Sequence, residues 1–308
     1  MPRKVAIIGI GHVGATVAHY IIADHFADEL VLIDTNEAKV IAEATDFQDA
    51  MANLPHYTKI KVNDYAALAD ADIVISAVGN IQLQDNTDDD RFAELPFTRQ
   101  AARSVAEKIK ASGFHGKMIV ISNPVDVITS IFQEVTGLPQ KHVIGTGTLL
   151  DSARMKRAVS TALGLDPRSI TGYNLGEHGN SQFTAWSTVR VLGRPMTQVA
   201  QMRGLDLESI KQESILGGDR VFHAKKYTNY GIATAAVRLM NAILTDAHSQ
   251  LVVSNFRPEY ATYLSYPAII GADGIVAPVQ LDLTKDELAK LQVSADFIQM
   301  KVTESLNA

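Results

Sequence analysis

KVAIIGIGHVGATVAHYIIADHFADELVLID, residues 4–34, decides the fold. It opens on a continuous apolar run, turns through Gly9-Ile10-Gly11-His12-Val13-Gly14, continues as a helix and closes on a second apolar run ending in Asp34. Runs that are continuous rather than alternating mark strands buried on both faces, as in a parallel sheet. The G-x-G-x-x-G pattern has a physical meaning at a strand-to-helix turn. Its first glycine permits the tight turn, its second lets backbone approach a pyrophosphate, and its third lets helix pack on strand. The helix N-terminus then offers unpaired N–H groups to the anion. Glycine-rich turns are common, so the motif alone leaves a nucleotide site and a plain turn equally open.

Asp34 sharpens the choice. It stands 20 residues after Gly14 at the end of the second apolar run, where a carboxylate can accept both adenosine ribose hydroxyls and repel a 2′-phosphate. No arginine follows at once, so NAD is expected rather than NADP, with Gly9, Gly11, Val13, Gly14 and Asp34 as cofactor residues. The competing reading makes Asp34 an N-cap for the next helix.

Further apolar runs follow at 59–62, 72–79, 117–122 and 142–145, separated by helix-length spacers. Six such strands predict an α/β fold with an N-terminal Rossmann-type, doubly wound parallel sheet. The texture changes near residue 145. A helix is predicted at 148–165, then short antiparallel strands, long helices at about 198–217 and 229–245, and hairpin runs around Gly271, Asp273 and Gly274. The last helix starts at TKDEL, where Thr284 and Glu287 form a capping box. The expected organisation is an NAD-binding domain over 1–145 and an α+β catalytic and substrate domain over 146–308, packed together without a linker.

The bulk properties exclude several classes. With 308 residues and no cysteine, the chain has neither disulfide nor thiol nucleophile, which fits a reducing cytosol without establishing it. A formal charge of −6 and no Lys/Arg cluster argue against nucleic acid. The N-terminus has the basic-then-apolar order of a signal peptide, but glycines and His12 interrupt the run and Asp24 and His25 follow it. No membrane association, a cytoplasmic location and no metal are expected.

TLLDSAR (148–154) places Asp151 and Arg154 three apart on one helix face. An arginine fork can clamp a carboxylate, and a buried aspartate can hold a histidine Nδ1–H so that Nε2 faces substrate. An ion pair on a solvated helix accounts for the same spacing. Other motifs shift the balance: with GIGHVG, Asp34, SNPVD (122–126) and GEHGN (176–180), in this order, the chain resembles the lactate/malate dehydrogenase superfamily over nearly its whole length. The resemblance implies His178 as general acid/base, Asp151 as its orienting partner and Arg154 as the carboxylate clamp. It also implies Asn123 as a contact to nicotinamide and substrate, and Arg91, in TDDDRFAEL, as the mobile-loop arginine that polarises the C2 oxygen. A symmetric homo-oligomer, tetramer or dimer, is implied as well.

In this superfamily the loop after strand four reads the group on the substrate's third carbon, malate enzymes using arginine and lactate enzymes glutamine. Counting forward from Gly79, itself a cofactor-loop residue, gives Gln82; counting back from Arg91 gives Asp85. Neither is arginine, and Asp85, Asp88, Asp89 and Asp90 make the loop acidic, which disfavours a dicarboxylate. Asn180 stands where lactate enzymes usually carry aspartate. Lys156 and Thr171 stand where the bisphosphate-activated enzymes carry arginine and histidine, and Thr228 aligns with a threonine of the pocket wall. Thr228 keeps a small-substrate wall open, but a loop three residues longer than the common form, no third-carbon arginine, Asn180 and no activator site resemble the L-2-hydroxyisocaproate dehydrogenases of lactic acid bacteria, which act on branched or longer aliphatic 2-oxo acids. L-Lactate dehydrogenase is the alternative, and a catalytically retired NAD-binding protein is the reading from another class.

Overall fold

The computed structural model describes residues 2–84 and 92–307. Arg91 and the acidic positions Asp85, Asp88, Asp89 and Asp90 lie outside them.

Six parallel strands carry the first half: β1 (Lys4–Ile8), β2 (Glu29–Ile33), β3 (Lys59–Val62), β4 (Ile73–Ser76), β5 (Lys117–Val120) and β6 (Val143–Gly145). Helices α1 (His12–Ala23), α2 (Glu37–Met51), α3 (Leu95–Ala111) and α4 (Val125–Thr136) connect them. Alternate residues of each strand feed opposite faces. Val5, Ile7, Leu30, Leu32, Ile73 and Ile75 enter one core, whereas Ala6, Ile8, Val31, Ile33 and Val74 enter the other. This double burial explains why the strands read as unbroken apolar runs, and each fully buried aliphatic side chain stabilises the sheet by roughly 1.5–3 kcal/mol.

The second half begins with α5 (Leu149–Leu163), then short strands β7 (Ile170–Thr171), β8 (Asn174–Leu175), β9 (Phe183–Thr184), β10 (Arg190–Val191) and β11 (Arg194–Pro195). Helices α6 (Met196–Arg203), α7 (Leu207–Lys225) and α8 (Tyr230–Leu244) follow. The single helix expected over 198–217 is therefore two. Gly204 takes the left-handed conformation at φ 64° and ends α6, and the Asp206 side chain accepts the Glu208 and Ser209 N–H groups to start α7. Apolar spacing continues through Leu205 and Leu207, which pack on the same satellite core, so periodicity alone conceals the break.

The chain closes with β12 (Ser249–Arg257), β13 (Thr262–Gly271), β14 (Gly274–Pro278) and α9 (Lys285–Asn307). At the start of α9, Glu287 accepts the Thr284 N–H at 2.9 Å while Thr284 Oγ1 accepts the Glu287 N–H at 3.2 Å. The late strands do not form a separate sheet. They extend the first one antiparallel, giving the order β14-β13-β12-β6-β5-β4-β1-β2-β3, with Ser254 paired to Gly145 at the join. Within the parallel part the order 3-2-1-4-5-6 reverses direction between β1 and β4, and ligands of such sheets bind at the strand C-termini beside that reversal. Among the described residues no helix is long and apolar enough to cross a membrane.

Candidate active site

The β1–α1 turn lies at that reversal. Gly9 has φ +95°, and a Cβ there would come within 2.7 Å of the Ala77 carbonyl group at the end of β4. A Cβ on Gly14 would enter the Gly9 carbonyl oxygen, so helix and turn touch backbone to backbone. Gly11 differs: nothing lies within 4 Å of its Cβ position, and with His12 and Val13 it lines a cleft of about 620 Å³. Among the described residues no side chain caps α1, which leaves its first N–H groups, at the edge of that cleft, available to an anion.

Asp34 is tied to this turn. Its Oδ2 accepts the Ile10 N–H at 2.7 Å and its Oδ1 accepts the Asn36 N–H at 2.9 Å. The N-cap of α2 is Asn36, whose side chain accepts the Lys39 N–H, so the capping alternative for Asp34 is set aside. Each Asp34 oxygen retains a lone pair able to accept a ribose hydroxyl. The open backbone at Gly11, the uncapped α1 and this carboxylate fit a dinucleotide without a further charged group.

The other end of the cleft holds the titratable residues. Asp151, in the first turn of α5, accepts from two cation-forming groups at once. Its Oδ2 is 2.6 Å from His178 Nδ1, and its Oδ1 accepts from Arg154 Nη1 at 3.1 Å. Exposure rises from 6% for the Asp151 side chain through 13% for His178 to 22% for Arg154, so the anchor is buried and the guanidinium opens to the cleft. With Nδ1 bonded to a carboxylate, Nε2 is the nitrogen left to exchange a proton. His178 follows β8, and its backbone N–H donates to Asp126 Oδ2 at 2.8 Å. Asp126 is buried at the start of α4; burial pushes its carboxyl up to about 6, against hydrogen bonds from Ser254 and the His178 backbone that favour the anion.

Asn123, Gly79, Gln82, Asn180 and Thr228 all line the same cleft. Asn123 follows β5, and Gln82 is exposed on the short 3-10 turn Ile81–Gln84. Arg91 lies outside the described residues; of the other expected site residues, all but Gly9, Gly14 and Asp34 line this one cavity, and those three belong to the dinucleotide turn beside it. Lys156 is held below the ordinary lysine range by burial and by nearby Arg238.

Several neighbours had no signal in the sequence. Glu94 is buried and accepts the Asn80 N–H at 2.5 Å, which anchors the start of the loop after β4. His12 stacks on Tyr227 with ring centroids 3.7 Å apart, and Asn229 donates to Thr16 Oγ1 at 2.9 Å. These contacts tie the corner before α8, which carries Thr228, to the dinucleotide turn. In α7, Gly218 lines the cleft and a Cβ there would lie 3.1 Å from Arg154 Cζ. Partners in each pair stand tens to hundreds of residues apart, and no local pattern records such pairing.

Comparison with known proteins gives a consistent result. The family profile described as lactate/malate dehydrogenase, NAD binding domain, matches residues 3–145, and the one described as its alpha/beta C-terminal domain matches 148–307. L-lactate dehydrogenase 1 of Bifidobacterium longum is 38% identical over 96% of both chains, and L-lactate dehydrogenase 3 of Bacillus cereus is 37% identical over 96% of both. The crystal structure of minor L-lactate dehydrogenase from Enterococcus mundtii in its ligands-bound form superposes with a TM-score of 0.92 at 32% identity, covering 98% of each chain.

Proposed function

Since the chain belongs to the lactate/malate dehydrogenase family of NAD-dependent oxidoreductases acting on 2-hydroxy acids, we propose that it prefers branched or longer aliphatic 2-oxo acids, as an L-2-hydroxyisocaproate-type dehydrogenase. The observation that carries this specificity is Gly218. A glycine inside a helix costs about 1 kcal/mol relative to alanine, and α7 has two in succession, Gly217 and Gly218, facing Arg157 and Arg154. Gly218 lets the α7 backbone stand against the Arg154 guanidinium, so the cleft wall beside the carboxylate clamp carries no side chain to crowd a larger substrate. Gln82 and Asn180 support the reading, since neither offers the positive charge that a second substrate carboxylate needs.

In this reading Arg154 binds the substrate carboxylate through its fork and so fixes C2 against the nicotinamide face. Arg154 also holds Asp151, which orients the His178 ring. His178 donates its Nε2 proton to the C2 oxygen during reduction and accepts the hydroxyl proton during oxidation. The imidazolium formed in oxidation is stabilised by Asp151. Asn123 supplies amide hydrogen bonds at the nicotinamide side, and Arg91 polarises the C2 oxygen. The dinucleotide, held by Gly11, Val13, the α1 N-terminus and Asp34, supplies or accepts the hydride.

L-Lactate is the second reading, favoured by the L-lactate dehydrogenase relatives that match almost end to end. The kcat/KM values for NADH-dependent reduction of pyruvate, 2-oxobutyrate, 2-oxoisovalerate and 2-oxoisocaproate separate the two. A rise along the series supports the branched-acid reading; a maximum at pyruvate supports L-lactate and overturns it. Exposed Ile41 on α2, Leu216 and Val221 on α7 and Tyr230 on α8 are apolar surface that a homotetramer or homodimer would cover, and sedimentation tests that assembly. We place the protein in the cytoplasm, in keeping with a cysteine-free chain.

A further inference from the structure

Beneath His178 lies a carboxyl that the chemistry above leaves unused. Asp126 is 2% exposed, and both of its oxygens are engaged by the second half of the chain. Oδ2 accepts the His178 backbone N–H at 2.8 Å, and Oδ1 accepts the Ser254 hydroxyl of β12 at 2.6 Å. The charged groups that act on it are His178, which favours its anion, and Glu177, which opposes it. Asp151, itself paired with Arg154, meets His178 from α5 at the ring nitrogen instead. Asp126 also lies in the first turn of α4, where the helix dipole favours a negative charge.

We propose that Asp126 is a second positioning carboxylate for His178, holding its backbone while Asp151 holds its ring, and adding negative charge that favours the protonated imidazole. The two carboxylates are not equivalent. Asp151 divides its charge between His178 and Arg154, whereas Asp126 has no lysine or arginine partner among its interacting charges in the described residues. Burial lifts the Asp126 carboxyl to about 6, so it is mostly ionised at neutral pH and loses its charge on mild acidification. Protonation need not break the scaffold. The protonated oxygen can donate to Ser254, reversing that bond, while the other oxygen still accepts from His178. What changes is the charge beside the proton carrier, and the influence is mutual: a protonated His178 favours ionised Asp126 to the same degree.

The inference rests on His178 as proton carrier, and wild-type turnover of a 2-oxo acid tests that separately. Asp126→Asn keeps the shape and both hydrogen bonds, with an amide oxygen for the His178 N–H and an amide N–H for Ser254. The pH profile of kcat/KM for reduction is then compared with wild type, alongside Tm and NADH affinity. The expected result is an alkaline limb moved to lower pH by about one unit, as for loss of a nearby opposite charge, with Tm and NADH affinity near wild type. Asp126→Ser is equally neutral and keeps a hydroxyl for the same partners, so its limb moves the same way; this variant decides the matter if Asp126→Asn does not fold. An unmoved limb in the folded variants, or an activity loss equal at every pH, overturns the proposal while leaving wild-type chemistry intact.

Discussion

Replacing Asp151 by Asn changes a single heavy atom and tests the proposed role of His178 as proton carrier. The carboxylate is almost fully buried and sits 2.6 Å from Nδ1 and 3.1 Å from Arg154 Nη1, so its charge acts where water screens little. A buried hydrogen bond to a charged group typically contributes about 1.5–3 kcal/mol, and each 1.36 kcal/mol is about tenfold in rate. Loss of that bond therefore accounts for about 10- to 100-fold in kcat. A second effect adds to it. An Asn that turns its NH2 toward Nδ1 makes that nitrogen an acceptor and leaves Nε2 carrying the only proton, the wrong tautomer for accepting one from a hydroxyl. We therefore expect oxidation of the 2-hydroxy acid to suffer more than reduction. Arg154 is released from its internal partner, so the KM for the 2-oxo acid should rise little. Steady-state rates followed by NADH absorbance in both directions, with NADH affinity by fluorescence, measure each quantity. A kcat within about threefold of wild type in both directions would refute the reasoning.

Asp34→Ala removes a carboxylate that braces the Ile10 N–H and repels a 2′-phosphate, so NADH affinity should fall and the NADH-to-NADPH preference in kcat/KM should narrow; an unchanged preference would remove Asp34 from the ribose site. For Gly218→Ala the new Cβ meets Arg154 Cζ at 3.1 Å, tight enough to move the clamp or fill the alkyl space, and kcat/KM should drop more for 2-oxoisocaproate than for pyruvate. An equal drop for both would mean that Gly218 serves only the clamp. Glu287→Gln tests the α9 cap. Burial raises this carboxyl, but hydrogen bonds from Ser187 and Thr284 outweigh it and hold it below its ordinary value. The stabilisation is thus fully present above about pH 4.5 and lost as pH falls through the lowered folded value. Thermal melts should show the variant less stable by about 1 kcal/mol at neutral pH, with the gap closing in acid; a pH-independent gap would contradict the linkage.

What could be read from residues 4–34 and what could not differ for a physical reason. The parallel strands announce themselves because burial on both faces writes a continuous apolar run, as in Val5 to Ile8 and Leu30 to Ile33. Antiparallel β12–β14 also read as hairpins, yet nothing local tells that β12 joins β6; the pairing of Ser254 with Gly145 spans more than a hundred residues. The break between α6 and α7 was hidden because Leu205 stays in phase with the helix while Gly204 ends it. In the site, Asp151 and Arg154 were visible as an i, i+3 pair, but whether that pair faced water or a histidine depends on β8 bringing His178 across, which spacing does not encode. Asp126 stood in plain view inside SNPVD, and its partners, 52 and 128 residues away, gave no sign of it.

In the proposed function, His178 carries the proton of an NAD-dependent reduction. His178→Gln keeps a polar side chain of similar reach and leaves the dinucleotide turn untouched. NADH affinity by fluorescence and kcat with 2-oxoisocaproate and pyruvate, measured on the same preparation, test the claim together. The predicted result is NADH affinity near wild type with kcat lower by about 10²-fold or more for both substrates, the scale of losing a positioned general acid. A variant that still reduces either substrate within about tenfold of the wild-type rate would contradict the account.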